Sequence, residues 1–489
     1  MPELFIGGRW TAARDGRTRE IRCPADGSLV ATVDEGGAED AAAAIGAARD
    51  AYDRGPWPGT PAAERGRLLL RVAGLLEREK HVLARAESLD TGKRLVESEF
   101  DMDDVASCFR YHGNLVAAGG RGRIVETGRP EVDSRVVREP VGVCALITPW
   151  SYPLLRTAWK VAPALGAGNT CVLKPSELTP HTAILLMRLL TEAGLPDGAA
   201  NLLLGAGAAA GAPLCEDPRV DLVSFTGSLV TGRRVMAAAA PTVKRLTLEL
   251  GGKNPHIVFA DADYETAVDH ALTAAFLNSG QACSAGTRLL VQDELHDGFV
   301  EDVVARARAI RLGGPFDGHA RTGPLISAAH RERVEAYVAA GVAEGAVLRC
   351  GGERPDDPEL SAGFYYLPTV LDECAPGMSV VRDESFGPVL TVERFRDEQE
   401  AVALANDTVY GLAGAVWSQD VGRAHRVASG LRTGTVWIND FGSSVPQAEW
   451  GGTRQSGFGR ESGPSGLAEF QQVKHVWHHL DPRPLGWFE

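Results

Sequence analysis

From about residue 139 the chain alternates short apolar runs with helical stretches, and this alternation restricts the fold more than any other feature. Residues 141–147 read as a buried strand, followed by a loop containing Pro and Trp, a helix over 159–165 and a strand over 170–173. A helix over 180–193, a strand over 200–204 and a strand over 220–226 continue the pattern, the last ending at a Gly-Ser turn into a helix. Apolar runs joined by helices predict a parallel sheet covered on both faces. A second alternating unit spans about 255–450, with helices near 263–277, 295–310 and 327–344 and strands near 288–292, 388–395, 413–417 and 434–438. Upstream, residues 36–55 predict an amphipathic helix. Residues 61–91 predict a helical stretch with Leu68, Leu69, Leu70, Val72, Leu75 and Leu76 in apolar rows, stopping at Thr91-Gly92. Residues 123–138 and 467–478 fit neither unit, and their β-branched residues predict a small outlying sheet.

A chain of 489 residues, 44% hydrophobic and 23% charged, has room for two or three domains with large cores. A formal net charge of −14 argues against nucleic acid as the main partner, since phosphate binding needs basic patches. The first ten residues lack the charged and apolar regions of a signal peptide, and no apolar stretch reaches the length of a membrane span. Eight cysteines without paired spacing are expected to be reduced thiols in the cytoplasm. No His/Cys/Asp spacing predicts a metal site.

Two residues suggest nucleophile-and-base chemistry. Cys283 lies in Asn278-Ser279-Gly280-Gln281-Ala282-Cys283-Ser284-Ala285-Gly286, a segment whose small residues predict a flexible loop rather than core packing. Glu249 interrupts an apolar run just before Gly251-Gly252, 34 residues upstream. A thiol able to ionise and a carboxylate able to take a proton form such a pair; the alternatives are a structural thiol and a solvated glutamate. For a nucleotide, Gly205-Ala206-Gly207-Ala208-Ala209-Ala210-Gly211 has one residue too many for the dinucleotide fingerprint and is a weak signal. Phe225-Thr226-Gly227-Ser228 is a better one: Gly227 allows close approach, and Ser228 is a candidate cap for a helix whose N-terminus favours an anion. Lys174-Pro175-Ser176-Glu177 follows another strand end, where open α/β sheets bind ligands. There the charge of Glu177 would repel a 2′-phosphate. For each of these the alternative is a plain capped turn.

Taken together, Pro149-Trp150-Ser151-Tyr152-Pro153, Trp159-Lys160, Lys174-Pro175-Ser176-Glu177, Phe225-Thr226-Gly227-Ser228, Leu248-Glu249-Leu250-Gly251-Gly252-Lys253, Gly280-Gln281-Ala282-Cys283, Glu384-Ser385-Phe386-Gly387-Pro388-Val389 and Ser456-Gly457-Phe458-Gly459-Arg460-Glu461 resemble the aldehyde dehydrogenase superfamily in order and spacing. The resemblance covers about residues 139–475. It implies an α/β fold with a Rossmann-type NAD-binding domain (1–118 and 139–251), an α/β catalytic domain (252–452) and a small β oligomerisation flap (119–138 and 467–489). It also implies a homodimer or homotetramer. Cys283 is then the nucleophile and Glu249 the base that activates the hydrolytic water, which disfavours acyl transfer to coenzyme A. Lys160 and Glu461 are implied as a proton path. Lys174 and Glu177 are expected at the adenosine ribose of NAD, Gly227 and Ser228 at the pyrophosphate, and Glu384 and Phe386 at the nicotinamide ribose and ring. Thr148, Pro149, Trp150, Ser176, Gly207, Phe225, Gly232 and Leu250 complete the expected cofactor set.

The nearest subgroup is that of betaine aldehyde and aminoaldehyde dehydrogenases, which Val445-Pro446-Gln447-Ala448-Glu449-Trp450-Gly451-Gly452 resembles. Their pocket surrounds an ammonium with aromatic rings, a cation–π arrangement. Tyr152, Trp159 and Trp450 match three ring positions, and Leu277 and Phe441 are expected beside them. Leu277 stands where some members have Trp, and the loop Asp440-Phe441-Gly442-Ser443-Ser444 lacks expected aromatic residues. A bulkier, non-cationic aldehyde is therefore the alternative substrate, and a binding protein without useful turnover the alternative function.

Ser151 departs from the family pattern, which has Asn there to join the nucleophile's own N–H in binding the oxyanion. Loss of such a donor costs about 10²–10³ in turnover, or ~3–4 kcal/mol. A slow or redirected enzyme, a compensating donor or water, and an altered chain are the competing explanations. If Ser151 is an impaired donor, Ser151→Asn raises steady-state turnover of a small aldehyde markedly; an unmoved rate means that another group does the work.

Overall fold

The computed structural model describes residues 3–119 and 122–488. Parts of the expected segments at 1–2, 120–121 and 489 lie outside the described residues.

The first alternating unit forms an eight-stranded sheet. Val143–Ile147 lies in its middle, with Thr170–Lys174 and Ala200–Leu202 on one side and Leu222–Thr226 and Arg245–Glu249 on the other, all parallel. The order therefore reverses between Val143–Ile147 and Leu222–Thr226, and a doubly wound sheet has its ligand crevice at the C-terminal ends of strands flanking such a reversal. Every residue of Val143–Ile147, Thr170–Lys174 and Leu222–Thr226 is buried, which is why Val143–Ile147 reads as an unbroken apolar run rather than an alternating one. Antiparallel edges close the sheet: Gly457–Phe458 pairs with Arg245–Glu249, and the hairpin Leu4–Ile6/Arg9–Thr11 extends it beyond Ala200–Leu202.

Helix boundaries differ instructively from expectation. The helix expected from residue 159 is Pro153–Ala167, all of it buried. Its early start follows from Pro153 at the first helical position, where a missing N–H costs nothing and the fixed φ suits the helix. The stretch expected over 61–91 is two helices, Ala62–Arg78 and Lys80–Thr91, broken at Glu79; Gly92, at φ +77°, closes the second. Leu95–Ala118, with no clear sequence signal, packs against Ala62–Arg78 and Pro153–Ala167.

After Glu249 the chain crosses through Gly251-Gly252 into Pro255–Val258, a strand of a seven-stranded second sheet. Its order is Val347–Cys350, Thr369–Asp372, Val389–Phe395, Arg288–Gln292, Pro255–Val258, Ala413–Trp417, Thr435–Ile438, parallel except at the Val347–Cys350 edge. Cys283 precedes Arg288–Gln292 and Glu384 precedes Val389–Phe395, so the second sheet brings its N-terminal ends to the crevice that the first borders with C-terminal ends. Outside both units, Gln471–His479 pairs antiparallel with Val132–Pro140, which also pairs with Gly122–Ile124, giving the outlying sheet. Among the described residues no helix is long and apolar enough to cross a membrane, no cluster of potential metal ligands occurs, and all eight cysteines are free.

Candidate active site

Cys283 stands on a loop that the backbone holds in an unusual shape. Asn278, Ser279 and Gly280 take φ of +49°, +54° and +69°, a left-handed run that only Gly adopts freely. Side chains enforce it. Asn278 Nδ2 donates to the Gln281 carbonyl at 3.2 Å and to the Ser151 carbonyl at 3.3 Å. Ser279 N–H donates to Thr322 Oγ1 at 3.0 Å, and Gln281 Nε2 donates to the Asn278 and Pro324 carbonyls at 3.1 Å. Asn254, buried at the head of the second sheet, donates through Nδ2 to the carbonyls of Cys283 and Ala285, each at 2.9 Å, and accepts from Ala413 N–H at 3.1 Å. The expectation of a flexible loop is thus corrected: the residues are small because the segment is buried and pinned, not because it moves.

Cys283 is half-buried, and burial pushes its thiol up from the ordinary value, opposed by the nearby Arg156 charge. Glu249 faces the same cavity. Both its oxygens are buried with no hydrogen-bond partner among the described residues. Burial, followed by the charge of Glu461, raises its carboxyl well above the usual range. Behind it, Lys160 Nζ pairs with Glu461 and donates to Ser224 Oγ at 2.9 Å. Trp450 and Glu461 are locked together by two backbone hydrogen bonds of 2.7 Å, Trp450 N–H to the Glu461 carbonyl and the reverse.

A cavity of about 390 Å³ opens at the point where the strand order reverses, lined by Pro149, Trp150, Ser151, Gly227, Ser228, Glu249, Cys283, Glu384 and Phe386, among others. Ser228 caps Leu229–Ala239 by accepting from Thr231 N–H. A Cβ at Gly227 would come within 2.5 Å of the Phe225 ring, and one at Gly232 within 2.6 Å of Leu250, so the helix approaches the sheet as closely as glycine permits. Thr148 is buried and meets Thr157 Oγ1 at 3.3 Å. At the neighbouring strand end Lys174 Nζ reaches Glu177 at 3.2 Å, and Ser176 Oγ accepts from Leu178 N–H. Gly207 opens an exposed π-helical turn, Gly207–Gly211, whose far end abuts Lys174. Glu384 accepts one bond, from Gly252 N–H at 3.1 Å, and its burial raises it to about 7. Phe386, at φ +53°, stacks edge-on with Trp150 at 5.2 Å. His330, absent from the sequence reading, donates to or accepts from nothing charged; its Nε2 bonds the Phe386 carbonyl at 2.7 Å and burial lowers it to about 4, so the ring is neutral.

A second cavity of about 360 Å³ lies on the other side of Cys283, lined by Tyr152, Trp159, Leu277 and Trp450, with Arg156 bordering both spaces. Phe441 is not in its lining: it stacks on Trp437 at 4.9 Å, and Gly442 and Ser444 face the space instead. Two cations already sit on the aromatic rings. Lys93 Nζ lies 4.3 Å from the centre of the Tyr152 ring and is held by Asp101 at 2.6 Å. The Arg156 guanidinium lies 4.1 Å from the Trp159 ring and 5.7 Å from the Trp450 ring. Sequence reasoning missed Arg156. Its signal was the spacing to Trp159 and Lys160, three and four residues on, which aligns the three on one helical face.

Residues 10–476 match the profile of the aldehyde dehydrogenase family. Betaine aldehyde dehydrogenase of Bacillus subtilis (strain 168) is 54% identical over 485 residues, covering 99% of each chain. Aminoaldehyde dehydrogenase 2 of Zea mays is 43% identical over 492 residues, covering 99% of this chain and 97% of the other. A crystal structure of Staphylococcus aureus betaine aldehyde dehydrogenase in complex with NAD+ superposes with a TM-score of 0.99 at 46% identity, covering 100% of this chain and 97% of that one.

Asn254 provides a test of how the loop is held. Asn254→Ala leaves two carbonyls and one N–H without partners, and is expected to destabilise the fold by about 2–4 kcal/mol in denaturant unfolding. A variant as stable as the natural chain would refute the role given to this amide.

Proposed function

The chain belongs to the aldehyde dehydrogenase family, and from that premise we propose that it oxidises an aldehyde to its carboxylic acid, with Cys283 as nucleophile, Glu249 as hydrolytic base and NAD+ as hydride acceptor. The observation that carries the reading is that Cys283 and Glu249 line one cavity at the reversal point of a doubly wound sheet. NAD+ when bound takes the hydride that leaves the aldehyde carbon. The residues present suit it. The capped N-terminus of Leu229–Ala239 with Gly227 and Ser228 suits a pyrophosphate. Lys174, Ser176 and Glu177, with the Gly207 turn beside them, suit the adenosine ribose, and Glu384 has acceptor capacity left for the other. Pro149, Trp150 and Phe386 wall the nicotinamide end, with Thr148 buried just before them and Phe225, Gly232 and Leu250 packed beneath.

The Cys283 thiolate adds to the aldehyde carbon, and the carbonyl pair moves onto oxygen. When the carbonyl re-forms, the C–H pair departs and a thioester remains on Cys283. Glu249 takes a proton from the water that attacks this thioester; the C–S bond breaks and Cys283 leaves as thiolate. Lys160 and Glu461 hold the other end of the proton path. In this reading the outlying sheet, with Ile124, Val473, Val476 and Trp477 exposed, joins protomers into a homodimer or homotetramer. The free cysteines accord with a cytoplasmic enzyme.

The relatives' names bring betaine aldehyde and aminoaldehydes to this chain as the first substrates, and Tyr152, Trp159, Leu277 and Trp450 as their pocket. One observation favours a second reading, a non-cationic aldehyde: the faces of Tyr152 and Trp159 already carry Lys93 and Arg156. A kcat/KM series of aldehydes matched in length decides between them. Betaine aldehyde ranks first under the former reading and last under the latter.

The central assignment has its own test. Glu249→Gln is expected to keep a single burst of NADH and to lose steady-state turnover by about 10²–10⁴-fold, while Cys283→Ala gives no burst. Because the raised carboxyl of Glu249 acts as base only after losing its proton, kcat should rise with pH, with an acid limb well above the ordinary glutamate value of 4.5. A kcat flat down to pH 5 would contradict Glu249 as the base.

A further inference from the structure

Arg156 is buried, yet its guanidinium makes one hydrogen bond among the described residues, from Nη2 to Cys283 Sγ at 3.5 Å. A guanidinium carries five N–H donors and does not deprotonate in proteins. Burying it without a bonded anion is costly, and partial compensation comes from the ring faces of Trp159 and Trp450 rather than from a carboxylate. The acids nearby are otherwise engaged. Asp101 is bonded to Lys93, Glu97 is paired with Arg94, and Glu249 makes no bond to Arg156. Such a cation, touching the nucleophile and bordering both cavities, suits an anion that exists only during the reaction.

Ser151 sharpens the point. It lines the cofactor-side cavity, and its hydroxyl has no hydrogen-bond partner among the described residues; only its backbone carbonyl is bonded, to Asn278. No side-chain amide stands at this position to meet an oxyanion.

We propose that Arg156 is a catalytic residue, whose guanidinium pairs with the Cys283 thiolate and then donates hydrogen bonds to the oxyanion formed when that thiolate adds to the aldehyde. The proposal rests on the reading of Cys283 as nucleophile. The negative charge begins on Sγ. As the S–C bond forms, the carbonyl π pair moves to oxygen and the charge moves with it. It remains within reach of one fixed cation, so little reorganisation is needed as the charge shifts. When the carbonyl re-forms, the pair returns from oxygen to carbon and Arg156 is released. The charge-assisted donor thus stands in for the amide that this position lacks, beside the single hydroxyl of Ser151.

The groups acting on Sγ are Arg156, which favours the thiolate, and Glu384, Glu249 and Glu461, which disfavour it, together with burial. Arg156→Gln keeps donors and removes the charge; Arg156→Lys keeps the charge and removes the fork. Both are first checked for folding by thermal unfolding. The rate of Cys283 alkylation by iodoacetamide against pH and the NADH burst with propanal, a small neutral aldehyde, are then measured. In Arg156→Gln the alkylation midpoint is expected to rise by about 1 pH unit or more, while Arg156→Lys stays near the natural chain. The burst in Arg156→Gln slows by about 10²-fold or more. Ser151→Asn raises the burst at least about tenfold more in the Arg156→Gln background than in the natural chain, a coupling that two independent residues would not show. An unchanged midpoint and burst in Arg156→Gln, or the same gain from Ser151→Asn in both backgrounds, overturns the proposal. A natural chain giving no burst with any aldehyde would instead count against the dehydrogenase reading, and the alkylation profile, which needs no substrate, would still test the Arg156–Cys283 pair.

Discussion

One amide side chain holds the candidate site together. Asn254, six residues before the second sheet's next surface turn at Ala260 and just after the Gly251-Gly252 crossing, bonds the carbonyls on both sides of the nucleophile's turn and the first N–H of Ala413–Trp417. The chain reaches it directly from Glu249. Base, crossing and anchor are therefore one short run of backbone, and the position of Cys283 relative to Glu249 is set locally rather than by the distant packing of two domains. The left-handed run Asn278–Gly280 is tolerable only because this scaffold and the bonds to Thr322 and Pro324 absorb its strain.

Several buried charges are matched to a partner of opposite sign. Arg288 is matched to Glu393, Lys93 to Asp101 and Lys160 to Glu461. Glu249 and Glu384 lie buried with carboxyls raised by burial, Glu384 to about 7. Perturbed groups gathered in one crevice are what a reactive site requires. Arg156 has no carboxylate hydrogen-bonded to it among the described residues, and its one side-chain hydrogen bond is to Cys283 Sγ.

Much of this was legible in the residues. Strands buried on both faces announce themselves as apolar runs, and the sheets came out where those runs lie. Cys283 and Glu249 drew notice as a thiol among small residues and a carboxylate in an apolar run, and they line one cavity; Lys160 and Glu461, expected only by resemblance, form a buried pair. What escaped did so for physical reasons. Pro153 was taken as part of a loop, although proline favours a helix start, and that shift hid the face on which Arg156, Trp159 and Lys160 align. Leu95–Ala118 buries Asp101, Ser98 and His112 along with its apolar residues, so no clean amphipathic stripe marks it. Asn254 could not be distinguished from a turn residue, because the three groups it bonds lie 29, 31 and 159 positions away. Phe441 was assigned to the pocket by resemblance, but its ring turned to Trp437.

The two-bond bridge between Trp450 and Glu461 has a structural consequence. Trp450 lines the second cavity, and Glu461 ends the buried pair with Lys160. Because their backbones are fastened to each other, any substitution that reshapes the pocket by moving residue 450 also displaces the partner of Lys160. The shape of the second cavity and the placement of the Lys160 pair are thus tied through one backbone bridge.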